Sequence, residues 1–124
     1  MNPYAASTAA YQEQAVMTAT PGQLVVMLYD GAIRFLRQAD AAMGEQAVAH
    51  SHDRLNRAEA IIDELLSTLD MSHGAIPENL EGIYVFWKKL LWEVRLERDR
   101  EKLAVLIRQV ANLREAWAQI AQSA

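Results

Sequence analysis

TPGQLVVMLYDGAIRFLRQADAAMG, residues Thr20 to Gly44, is the stretch on which the fold turns. Its first four residues spell a helix start. Thr20 can cap, Pro21 suits the first helical position, and Gln23 can reach back to complete a capping box. Beyond it, Leu24, Met27, Leu28, Ala32, Phe35, Ala39 and Met43 recur at helical spacing and share one face. Gly44 is a natural end.

The same period returns three times. Leu55, Ala58, Ile62, Leu65 and Leu69 follow a start near Ser51, with Asp53 in the electropositive first turn. Leu80, Ile83, Trp87, Leu90 and Val94 follow Pro77 and Glu78. Leu103, Leu106, Val110, Leu113, Trp117 and Ile120 follow a cap at Asp99. The breaks are short, so neighbouring helices must run antiparallel. The spacing therefore predicts an all-α, antiparallel four-helix bundle with helices at about 21–44, 51–69, 77–97 and 99–121. Residues 1–19 are small and polar and read as an N-terminal flap or short cap helix.

Bulk properties agree with this. The chain has 124 residues, 52% hydrophobic and 23% charged, with 5 Gly, 3 Pro and no Cys. That suits one folded helical domain and excludes disulfides and thiolate metal sites. A net charge of −4 argues against nucleic acid as a partner. Arg95, Arg98, Arg100 and Lys102 alternate with Glu97, Asp99 and Glu101 and read as a solvated helix junction. Residues 1–14 lack the basic and apolar regions of a signal peptide, and the apolar run 24–29 is too short to insert in a membrane.

Catalytic chemistry is poorly supported. His50, His52 and His73 all fall at breaks, without the Glu-x-x-His pairing of a di-iron bundle. The serines have no histidine–acid constellation, and Gly22 and Gly31 belong to no phosphate loop. No metal or other cofactor is expected.

What the sequence does carry is surplus apolar surface. Val25, Val26, Tyr29, Ile33 and Leu36 flank the stripe of the first bundle helix. Ile61 and Leu66 do so on the second, and Tyr84, Val85, Phe86, Leu91 and Trp92 on the third. Such positions either widen the core or form a groove for a partner. If residues 4–15 are helical, Tyr4 and Tyr11 share a face and could lie over that groove. A self-assembling structural bundle, with the surplus surface as an oligomer interface, remains open as a second reading, as does a homodimer.

Residues 10–36 resemble the flagellin export chaperones of the FliS family. The matching runs are Ala10-Tyr11-Gln12, Val16-Met17-Thr18-Ala19-Thr20-Pro21-Gly22-Gln23-Leu24 and Met27-Leu28-Tyr29-Asp30-Gly31-Ala32. Weaker matches continue at Ala58, Ile61-Ile62, Leu65, Leu69-Asp70, Asn79-Leu80, Tyr84 and Ala116-Trp117. The resemblance implies a non-enzymatic cytosolic chaperone. It implies binding to the disordered C-terminal segment of flagellin, prevention of premature polymerisation, and delivery to a component of the flagellar type III export gate. Carried onto this chain, the partner-binding candidates are Tyr11, Ile61, Ile62, Leu65, Leu66, Leu69, Leu80, Tyr84, Trp87 and Leu91. Tyr4, Tyr11 and Val16 belong to the implied flap, which covers part of the groove when flagellin is absent. Tyr84-Val85-Phe86-Trp87 stands where the family commonly has Tyr-Asp-Tyr, which makes this face more apolar.

Overall fold

A computed structural model describes the backbone of residues 3–123 and the side chains of residues 10–122. The chain is all-helical, with no strand among the described residues. The described residues form five α-helices: α1 (Pro3–Thr18), α2 (Pro21–Gly44), α3 (Val48–Ser67), α4 (Ala75–Glu97) and α5 (Arg100–Ser123). A 3₁₀ turn at Met71–His73 precedes α4. The expected N-terminal flap or short cap helix is a helix of 16 residues, so the count is five and not four.

α2 packs against α3 and α5, and α4 packs against the same two, which closes a ring. α1 makes no packing contact of that extent. Cross-helix contacts fix the directions. Along α2 the partners on α5 descend from Arg114, paired with Asp30, to Arg100, paired with Asp40. On α3 and α4, Asp63 meets Lys88 and Glu59 meets Arg95. On α4 and α5, Trp87 meets Gln109 and Glu93 meets Lys102. Gly31 packs on Ile61, while Gln38 meets Arg54. In every pair one number rises as the other falls, so all four neighbouring pairs are antiparallel.

The ring encloses Leu36, Leu55, Ile62, Leu65, Trp87, Leu91, Leu103, Leu106 and Val110, all essentially inaccessible to water. Fully burying each such side chain contributes about 1.5–3 kcal/mol. Ile120, expected on the seam of α5, is instead exposed near the helix end.

The helix starts show which local signals count. Thr20 caps α2 through its hydroxyl, which accepts from Gln23 N at 3.2 Å, while Gln23 Oε1 accepts from Thr20 N at 2.9 Å. Asp99 Oδ1 accepts from the backbone of Glu101 and Lys102 at the start of α5. α3 begins at Val48 and not at Ser51, because Ser51 faces the core and donates its hydroxyl to Val48 O at 2.7 Å. α4 begins at Ala75, two residues before Pro77, where Gly74 turns the chain with φ 89°. A Cβ on Gly44 would meet Arg100 at 2.9 Å. Its absence makes room for the Arg100–Asp40 ion pair between α2 and α5.

Candidate functional site

The run Leu28-Tyr29-Asp30-Gly31-Ala32 crosses from the inside of the ring to its surface. Tyr29 and Ala32 are wholly buried. The Tyr29 hydroxyl lies 2.6 Å from that of Tyr84 and accepts from Trp117 Nε1 at 3.2 Å. The Tyr29, Tyr84 and Trp87 rings touch one another edgewise or tilted, with centroids 5.4–6.5 Å apart. Burial, followed by the hydrogen bond shared with Tyr84, pushes the Tyr29 phenol far above its usual range. Burial likewise raises Tyr84, with the bond to Tyr29 acting in the opposite direction. Two neutral phenols thus join α2, α4 and α5 across the core. Asp30 points outward to Arg114 at 2.8 Å.

Gly31 has a separate role. A Cβ there would stand 3.1 Å from Ile61 Cδ1, so glycine lets α2 and α3 approach closely. On the outer side of this contact is a groove of about 610 Å³. Leu24, Met27 and Leu28 of α2 line one wall, Glu64 and Thr68 of α3 the other, and Gln12 and Val16 of α1 reach over it. Asp30 and Arg34 provide charge along its α2 side. The groove is open, mostly apolar and partly roofed by a helix that the rest of the molecule holds weakly.

The residues expected to bind a partner separate into groups. Ile62, Leu65, Tyr84, Trp87 and Leu91 are wholly buried, so in this conformation they are core and offer a partner no surface. Their burial has a simple cause: the space between four helices is wide enough to take both the stripe and its flanks. Ile61, Leu66, Leu69 and Leu80 are partly buried against that core. Ile61 lies next to the groove through Gly31. Tyr11 is 75% exposed and lies outside the groove lining. Val16 lines the groove, and Tyr4 lies outside the described side chains. Leu24, Met27 and Leu28, which their spacing puts on the seam, form the groove's apolar wall, with Leu28 also packed against the core. The available signal was Gly31, a helix-interior glycine beside them that calls for a close helix contact.

Comparison with known proteins supplies the family. A family model described as "Flagellar protein FliS" matches residues 3–124. The chain is 34% identical to the flagellar secretion chaperone FliS of Bacillus subtilis over 122 residues, covering 98% of this chain and 88% of the relative. It is 34% identical to the Salmonella typhimurium protein of the same name over 114 residues, covering 90% and 84%. The Campylobacter jejuni counterpart is 30% identical over 112 residues, covering 90% and 88%.

Proposed function

The chain belongs to the FliS family, a family of flagellar secretion chaperones and not of enzymes, and on that premise we propose that its client is flagellin. In this reading α2–α5 form the antiparallel bundle that receives the client, and α1 is a displaceable cap. The disordered C-terminal segment of flagellin is held in the cytosol, kept from premature polymerisation, and passed to a component of the type III export gate. No cofactor takes part.

The observation that carries the reading is the apolar groove between α2 and α3 with the end of α1 over it. A disordered client loses conformational entropy when it binds, so it needs apolar surface to wrap against. An amphipathic segment laid between two helices obtains that surface. A roof held by few contacts shields the groove when empty and yields to a better-fitting segment.

The test is calorimetric titration with a peptide from the flagellin C-terminus. The unaltered chain should bind it. Met27→Asp and Leu28→Asp should each weaken binding at least tenfold, about 1.4 kcal/mol, with unchanged helical circular dichroism. Unchanged affinity in both variants would place the client elsewhere and reject the groove.

A further inference from the structure

On the side of α4 facing away from the core, Val85, Trp92 and Leu96 are 55, 60 and 67% exposed. They share a face with Lys89, and Phe86 borders it. The face points away from the groove, and among the described residues none covers it. We propose that α4 pairs antiparallel with α4 of a second copy, with each Lys89 ammonium stacked on Trp92 of the other chain.

Three observations select a second copy as the occupant. First, Val85, Lys89, Trp92 and Leu96 are spaced 4-3-4, which reads the same in both directions. A two-fold axis midway along the stripe therefore sets Val85 against Leu96 and Lys89 against Trp92 of the second copy. This is the layering of an antiparallel helix pair and the self-complementarity a two-fold interface requires.

Second, Lys89 is the stripe's one charge with no ion-pair partner among the described residues. Its neighbours are neutralised within the chain: Lys88 by Asp63, Arg95 by Glu59 and Glu93 by Lys102. The exposed face of an indole is the site that suits a lone ammonium.

Third, Gly82 lies two turns before Lys89 on the same stripe, and a Cβ there would meet nothing within 4 Å. Packing inside the chain gives no reason for a glycine that weakens the helix. The same two-fold axis brings Gly82 opposite the Arg98–Asp99 turn of the second copy, where glycine provides clearance.

The stripe spans about 18 Å, so the interface is small and the dimer reversible, micromolar or weaker. Sedimentation equilibrium of the full chain from about 1 µM to about 500 µM should show the mass rising from one chain toward two. Trp92→Ala and Lys89→Glu should each weaken association at least tenfold while circular dichroism is unchanged. The chain has no Cys, so engineered cysteines report without background. Under mild oxidation V85C mixed with L96C should cross-link, and neither should do so alone, since like positions lie about 16 Å apart in the antiparallel pair. A single-chain mass throughout, a dimer indifferent to Trp92→Ala, or V85C cross-linking to itself would overturn the proposal. So would a monomer whose Trp92→Ala variant loses the flagellin peptide, because the stripe would then belong to the client.

Discussion

Tyr29 brings a hydroxyl into the middle of the core, and two groups depend on it. Tyr84 shares its proton and Trp117 donates to it. Removing it leaves two polar groups without this partner, whereas removing the Tyr84 hydroxyl still leaves Tyr29 with Trp117. Tyr29→Phe should therefore cost more stability than Tyr84→Phe, about 2–3 against about 1 kcal/mol. Urea unfolding of the two variants measures the difference, and equal costs would contradict the network. Both phenols also make stability depend on pH. Their folded pKa values lie above the ordinary value of 10, which an unfolded tyrosine keeps. Below that value both states are protonated and the contribution is complete. Above it the unfolded chain releases protons that the folded chain retains, so stability falls as pH rises. The fall should start near pH 10 and be shallower in Tyr84→Phe. None of this network was legible in the sequence. Periodicity tells which face a residue occupies, not how deep the ring of helices is there. Tyr29 could be read only as a flank, and Tyr84, Trp87 and Leu91 served equally well as groove or core until the space between helices was known.

At the scale of single elements, legibility followed the range of the interactions. The start of α2 was written in four adjacent residues, and both capping bonds are made. Thr20→Ala should cost about 1 kcal/mol, measurable by thermal unfolding. The start of α3 was hidden because Ser51, a good capping residue by type, is drawn into the core by packing farther along. α1 was legible only as one of two alternatives, a flap or a short cap helix, because it has no continuous apolar stripe for a periodicity argument to extend. An isolated helix of this length is marginal in water, and few contacts hold this one. Deleting residues 2–17 removes Gln12 and Val16 from the groove and should raise affinity for the flagellin peptide. The gain is limited to the factor by which the flap favours its closed position. A large loss of affinity would mean that α1 contacts the client, and the flap model would fail.

For the whole molecule, the division lies between a ring of four helices sharing one core and a fifth helix resting on its rim. The ring was legible because four stripes of one period and three short breaks leave few alternatives. The site was less so, since Leu24, Met27 and Leu28 follow the same period as the core and nothing in their spacing marks them as lining the groove beside α3. This division makes a prediction for hydrogen exchange. Amides near Leu36, Leu65, Trp87 and Leu106 sit around fully buried side chains and should exchange only through global unfolding. Amides of α1 should exchange far faster, through local opening that leaves the ring intact. Adding flagellin peptide should slow exchange at residues 24–34 and 61–68, where the groove walls lie. It should leave α1 unprotected or less protected than before, because a displaced flap loses its few contacts. Protection appearing on α1 instead would show the client adding to the flap and not replacing it. The groove would then be completed by α1, and deletion of that helix should abolish binding.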